Sequence, residues 1–163
     1  MILRSQEHPC SINRSRLLLM LVARRQFYRS LAGLSEGDDD RMERIFFVIG
    51  CVAAFIGVAV GAFGAHGLKS RVSAEMLAVF EVGVRYHLYH AFALFVVAWA
   101  QMRWPGSLAT ASGWLFLVGI ALFSGSLYLM SLTGLRWLGA ITPLGGLAFL
   151  AGWLCLAWAS WKS

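Results

Sequence analysis

The sequence predicts an all-α integral membrane protein with four transmembrane helices in an antiparallel up-down bundle. Long apolar runs alternate with short polar segments, and only 13% of the 163 residues are charged, whereas soluble domains carry about a quarter. The mean hydropathy is +0.68. Seventeen glycines and seven tryptophans fit this class, because membrane helices pack through small residues and carry Trp at lipid–water interfaces.

Residues 1–41 form an N-terminal extension, disordered or interfacial, that precedes a four-helix membrane domain predicted over residues 42–163. Its basic segment Arg14–Arg25 has an apolar centre too short to cross a bilayer, and an acidic linker follows. Three interpretations fit it. They are an amphipathic helix lying on anionic lipid, an Arg-rich targeting segment, or an upstream stretch that is not translated, with Met42 as the start.

Charge and cysteine usage predict no nucleic-acid partner, no cofactor and no enzyme activity. The net charge of +6 arises largely in the tail, since six of the eight Arg in the first 44 residues precede residue 30. The cysteines Cys10, Cys51 and Cys155 have neither zinc-site nor disulfide spacing. After residue 44 only Glu75 and Glu81 are acidic, which argues against acid–base or two-metal catalysis.

Helix 1 is predicted over about residues 43–65. Its stretch 45–63 carries no charge over nineteen residues, close to the ~20 needed to cross a bilayer. Small residues recur every four positions and predict a smooth face for close packing against another helix; they are Ala53, Gly57, Gly61 and Ala65. Gly64 and Gly67 are predicted to end the helix and turn the chain.

Helix 2 is predicted over about residues 74–101, with Ser73 as its N-cap. Only Ala91–Ala100 is fully apolar, which covers ~15 Å, about half of the hydrocarbon layer. A full crossing must therefore begin near Glu81 and place His90 near the midplane. The alternative is a short, tilted or re-entrant segment that leaves residues 81–87 among the lipid headgroups.

Helices 3 and 4 are predicted over about residues 107–132 and 142–160. Ser107 and Thr142 are the predicted caps, and Pro143 suits the first helical position. A small and polar stretch interrupts helix 3, and we interpret it as a helix-packing site; it contains Ser124, Gly125 and Ser126.

Four crossings place both chain ends on one side of the membrane. The full tail adds its Arg residues to Arg103 and Lys162 on that side, whereas the opposite loops carry Lys69, Arg71 and Arg136. The positive-inside rule then favours both ends in the cytoplasm. Without residues 1–41 the two sides are balanced, three against three, and the rule favours neither.

Ionisable residues at the start of helix 2 form the candidate functional cluster, because such groups are costly at membrane depth. Glu81 and Arg85 lie four apart on one helix face and are expected to neutralise each other. His90 lies ~180° around the helix from Glu81, so the polar groups wrap the helix. The cluster members are Glu81, Arg85, His87 and His90, joined by His66 if its loop folds back.

Three roles are weighed for this cluster. The favoured one is a structural hydrogen-bond network to Ser124, Ser126, Tyr128 or Thr142 on neighbouring helices. The second is a proton relay in a small proton-coupled carrier or permease. The third is a haem- or metal-binding membrane subunit, although a zinc site requires three or four protein ligands.

Several motifs together resemble the domain-of-unknown-function family 423 over about residues 42–161. They are Gly61–Lys69, the Tyr86/His90 pair, Phe123–Tyr128, Thr142–Gly146 and Gly152-Trp153. The resemblance implies an uncharacterised multi-pass protein of the inner membrane, and no catalytic residue carries over from it. We therefore interpret the chain as a structural or partner-interacting protein whose partners are the lipid bilayer and other membrane helices or a second copy.

Overall fold

The computed structural model describes Arg24 and residues 41–162. The predictions made for the N-terminal extension before residue 41 therefore lie outside the described residues, apart from Arg24. Every regular element in the described part is helical, and no strand occurs there. The prediction of an all-α protein is confirmed for this part of the chain.

Long helices follow one another through the described residues: α1 (Arg41–Leu68), α2 (Ala74–Arg103), α3 (Ser107–Thr133) and α4 (Thr142–Lys162). A short 3-10 turn over Arg136–Ala140 leads into α4. By length and composition α1, α3 and the stretch that includes α4 are able to cross a membrane. α2 has 30 residues, but its first half carries the polar cluster.

The end of α1 differs from the prediction. Gly64 and Gly67 do not end the helix, because the helix continues as a π-helical turn over Gly64–Leu68. Neither glycine has a positive φ angle. Gly64 instead makes room for a neighbour, since a Cβ atom there would lie 2.8 Å from the Phe80 ring. The chain therefore needs this glycine for close packing rather than for a turn.

The helix caps agree with the sequence at one position and differ at two. Ser73 caps α2 as predicted, since its Oγ accepts the Met76 N–H at 3.2 Å. Ser107 is the first residue of α3, and Gly106 with φ of 148° takes the cap position. Thr142 is likewise inside α4. Its hydroxyl bonds to Ser126 instead of capping, because α4 begins against α3.

The helices pair in a regular register. From Gly50 to Gly64 on α1, the contacted residues on α2 run backwards from Phe95 to Phe80. The same reversal relates α2 to α3, where Gly83 meets Tyr128 and Gln101 meets Thr110. It also relates α3 to α4.

The core lies where α2 meets the other three helices. Its fully buried large side chains come from α1, α2 and α3 and include Phe46, Leu94, Val97 and Phe116. Many large apolar side chains lie on the outside instead, such as Phe55 at 75% exposure and Leu154 at 71%. An apolar surface of this extent suits hydrocarbon rather than water.

Candidate functional site on α2

The predicted cluster on α2 divides into a buried part and an exposed part. His87 and His90 are each only 5% exposed. Glu81 and Arg85 are exposed on another side of the helix. Within the described residues no hydrogen bond joins the histidines to either charged side chain. The structure therefore does not assemble these four residues into one polar site.

His90 is held by its own helix and by α4. Its Nδ1 donates a hydrogen bond to the Tyr86 carbonyl oxygen at 2.8 Å, because a carbonyl only accepts. The ring stacks on Phe149, with centroids 3.4 Å apart and planes 8° apart. It also lies 5.5 Å from the Phe116 ring on α3. The side chain is thus a contact among three helices.

His87 points towards α3 and α1. Its Nδ1 lies 3.2 Å from the Tyr128 hydroxyl, a hydrogen bond between α2 and α3. A Cβ atom at Gly57 would be 3.5 Å from the imidazole Cδ2, an ordinary contact distance, so the ring lies beside α1 at this level. The backbone of Ala53 approaches the ring, yet the buried Nε2 makes no hydrogen bond to any described residue.

Of the four hydroxyl side chains expected to partner the histidines, Tyr128 alone does so. Ser126 and Thr142 bond to each other at 2.9 Å and join α3 to α4. Ser126 also donates to the Phe123 carbonyl. Ser124 is fully buried, and its hydroxyl has no hydrogen-bond partner among the described residues. Ser126 therefore serves the α3–α4 contact, and neither serine bonds to the histidines.

Glu81 and Arg85 line an open groove of about 330 Å³ between α1 and α2. The groove is completed by Gly61, Gly64, Ala65, Phe80 and Val84.

The expected ion pair between Glu81 and Arg85 is not formed. Within residues 41–162 the ion pair found is that of Glu75 with Arg136, at 3.4 Å. Exposed pairs spaced four apart on a helix gain only about 0.3–0.5 kcal/mol, so side-chain entropy is enough to separate them. Both charges are consequently available to a third group in the groove.

His66 stays apart from the cluster. It lies exposed in the π-helical turn of α1, and its neighbour Ala65, not His66, lines the groove. Across the described residues no three His, Cys, Asp or Glu side chains come together as metal ligands.

The small-residue ladder of α1 packs within the chain. A Cβ atom at Gly57 would lie 2.7 Å from Leu88, and one at Gly61 would lie 3.1 Å from Val84, both on α2. Ala53 is 8% exposed and belongs to the core. Ala65 is exposed at the groove. Gly57 and Gly61 are therefore used to seat α2 on α1.

At the α3–α4 contact the closely packed glycine is Gly145 of α4, whereas Gly125 of the predicted packing stretch faces open space. A Cβ atom at Gly125 would meet nothing within 4 Å, whereas one at Gly145 would collide with the backbone nitrogen of Phe123. Phe123 lies in a π-helical turn, Ile120–Ser124, so this close contact occurs where α3 is π-helical. The paired glycines Gly145 and Gly146, shortly after Pro143, are the signal in the sequence for this close contact.

A second polar contact was also missed. Gln101 is 2% exposed, and its Nε2 donates to the Thr110 hydroxyl at 2.7 Å, joining α2 to α3. Its Oε1 is buried and unpaired within the described part of the chain. The signal in the sequence is a polar residue directly after the apolar run Ala91–Ala100.

Comparisons with known proteins show which proteins the chain is similar to. A family model described as protein of unknown function, DUF423, matches residues 60–146. The UPF0382 membrane protein YwdK of Bacillus subtilis is 47% identical over 91 residues, covering 55% of this chain and 74% of that protein. A UPF0382 membrane protein of Staphylococcus haemolyticus, SH2409, is 41% identical over 119 residues, covering 73% and 97%.

A more distant relative is similar over the same extent. A UPF0382 membrane protein of Haemophilus influenzae is 38% identical over 122 residues, covering 75% of this chain and 98% of that protein. No solved structure matches the chain.

Proposed function

The chain belongs to the DUF423 family of membrane proteins of unknown function, as its motifs predicted, and we propose for it a non-catalytic binding role. In this role the buried histidines of α2 stabilise the helix packing, and the groove beside Glu81 and Arg85 binds the partner group. The proposal rests on one observation. The histidines are engaged between helices, whereas the two charges line an open groove without pairing.

We further propose that α2 crosses the membrane with the other three helices in an antiparallel up-down bundle. The reversed contact register between successive helices supports this arrangement. So does the burial of His87 and His90 on α2, whose rings meet protein on several sides, as expected for ionisable residues inside a membrane. In this arrangement both chain ends lie on one side, and the basic N-terminal residues favour the cytoplasmic side of an inner membrane.

The register of α1 also indicates the depth of the polar residues. The apolar run of α1 ends at Ala65, just before the polar His66, and the adjacent Gly64 contacts Phe80 on α2. Glu81 then lies at the hydrocarbon boundary. Arg85 lies about one helical turn deeper, ~6 Å, and its long side chain extends back to the headgroups. His87, beside Gly57, lies well inside the hydrocarbon layer.

Cysteine accessibility in the membrane-inserted full chain tests this division. The three native cysteines are first replaced by Ala, and single cysteines are then placed from Val79 to Ala91. A water-soluble maleimide is expected to label positions 81 and 85 and to spare positions 87 and 90. Glu75→Cys serves as an exposed control on the same helix. Uniform protection over the segment would contradict a binding groove.

The carrier hypothesis gives a different result in the same experiment. A proton route needs water to reach both histidines, so labelling would extend through positions 87 and 90. The carrier would also show a pH-dependent flux in liposomes that Glu81→Gln abolishes. Either result would replace the binding role with transport.

A further inference from the structure

We propose that the groove between α1 and α2 binds the headgroup of a zwitterionic phospholipid, with the ammonium on Glu81 and the phosphate on Arg85. This inference rests on the proposed binding role of the groove and names its occupant. The two side chains are one helical turn apart, and each lacks a partner among the described residues. An ethanolamine phosphate carries the complementary pair of charges on a two-carbon linker.

The chemistry of the two groups favours this ligand over a simple ion. A guanidinium presents a planar fork of N–H donors that matches phosphate oxygens, and a carboxylate accepts N–H groups of an ammonium. An anion alone would leave Glu81 beside it as a repelling charge. A metal cation would be repelled by Arg85 in the same way. A ligand with both charges satisfies both side chains.

The shape of the groove suits an amphipathic occupant. Its volume of about 330 Å³ lies within the usual range for small-ligand sites. Gly61 and Gly64 allow Val84 and Phe80 to pack closely against α1, and these four residues give the groove an apolar lining beside the two charges. The groove is not enclosed, so a lipid enters it sideways with its acyl chains remaining in the bilayer.

The position of the groove agrees with a headgroup. Gly64 meets Phe80 at the end of the apolar run of α1, just before His66, where the hydrocarbon ends in the proposed bundle. Further polar groups lie beyond it, including the pair of Glu75 and Arg136. A phospholipid in this leaflet presents its phosphate and amine at this level without leaving the membrane.

Lipid selection by the full chain tests the proposal. The protein is reconstituted in bilayers with equal parts of phosphatidylethanolamine, phosphatidylcholine and phosphatidylglycerol of identical acyl chains, and the retained lipid is counted by native mass spectrometry. The wild type is expected to retain phosphatidylethanolamine about fivefold over phosphatidylglycerol. Glu81→Gln should remove this preference, and Arg85→Gln should lower retention of all three phospholipids.

Two matched variants at the same end of the molecule serve as controls. Glu75→Gln and Arg71→Gln remove an acid and a base that are exposed but do not line the groove. Both should retain the wild-type preference. Because Glu81 and Arg85 are exposed, their variants should also unfold at the wild-type temperature, which separates lost binding from lost folding.

Other outcomes overturn the lipid assignment. If phosphatidylglycerol binds as well as phosphatidylethanolamine, or if inorganic phosphate displaces the bound lipid, the groove recognises an anion only. If the Glu75→Gln control loses the preference too, the effect is one of general surface charge. In these cases labelling of positions 81 and 85 still decides the binding role by itself. Protection at both positions would remove that role as well.

Discussion

The ring of His90 on α2 lies parallel to that of Phe149 on α4, with centroids 3.4 Å apart. Phe149 also fills the space left by Gly119 on α3, where a Cβ atom would collide with the ring. In return Phe116 on α3 fills the space at Gly152 on α4. The two helices therefore interlock through reciprocal Phe–Gly contacts, and the imidazole closes this contact from the side of α2.

Phe149→Ala should accordingly destabilise the protein strongly. The change removes the ring beneath His90 and leaves a cavity against Gly119, so we expect a loss of about 3 kcal/mol in the free energy of unfolding. Leu150→Ala is the matched control, because this neighbouring side chain is 62% exposed and should change stability by less than about 0.5 kcal/mol. Unfolding of both variants by SDS titration measures the difference. Equal losses would show that the interlock adds nothing.

The adjacent glycines Gly145 and Gly146 should respond oppositely to Ala. At position 145 the new Cβ meets the backbone of Phe123, which is unable to move aside as a side chain does. We expect a destabilisation of about 1–3 kcal/mol. At position 146 the new Cβ lies 3.9 Å from the Phe123 ring, an ordinary contact, and the higher helix propensity of Ala should give up to about 1 kcal/mol of stability. Thermal unfolding in detergent decides this, and a stable Gly145→Ala protein would refute the close backbone contact.

The limits of the sequence predictions follow from what each signal measures. Hydropathy reports a one-dimensional property, so it located α1, α3 and α4, and the cap at Ser73 is a local hydrogen bond that the sequence also predicts. Neither signal reports which helix faces which. Gly125 and Gly145 both occur in small-residue motifs and differ only in their surroundings. Gly125 faces open space, whereas Gly145 lies against the Phe123 backbone.

The candidate site was predicted in composition but not in arrangement. The spacing of four residues correctly placed Glu81 and Arg85 on one helix face. Whether they form an ion pair depends also on whether water or a ligand competes for each charge. The π-helical turn at Ile120–Ser124 also has no sequence signature, although it lies where α3 contacts α4. Such features arise from tertiary packing, which a single sequence does not contain.

The His87–Tyr128 hydrogen bond should contribute a small but measurable coupling. A double-mutant cycle with His87→Leu and Tyr128→Phe should give about 0.6 kcal/mol, the usual value for hydrogen bonds between membrane helices. A second cycle pairs Tyr128→Phe with His90→Leu. It should be additive within about 0.3 kcal/mol, because His90 bonds to the Tyr86 carbonyl instead. Coupling in the second cycle alone would contradict the observed partners.

The stability lost with the Gln101–Thr110 hydrogen bond should depend on which of the two residues is replaced. Gln101→Leu keeps the volume, removes a buried Oε1 that has no partner among the described residues, and leaves the Thr110 hydroxyl bonded to the Gly106 carbonyl at 3.3 Å. Its stability should therefore stay within about 0.5 kcal/mol of the wild type. Thr110→Val instead leaves both polar atoms of the buried amide unpaired and should cost about 1–3 kcal/mol.

The double variant distinguishes this explanation from a general need for bulk at the α2–α3 contact. Adding Gln101→Leu to Thr110→Val removes the stranded amide and should restore most of the lost stability. Chemical unfolding of the four proteins under one condition provides the comparison. If the double variant is less stable than Thr110→Val alone, the amide stabilises the contact in another way, and the unpaired Oε1 does not carry the expected cost.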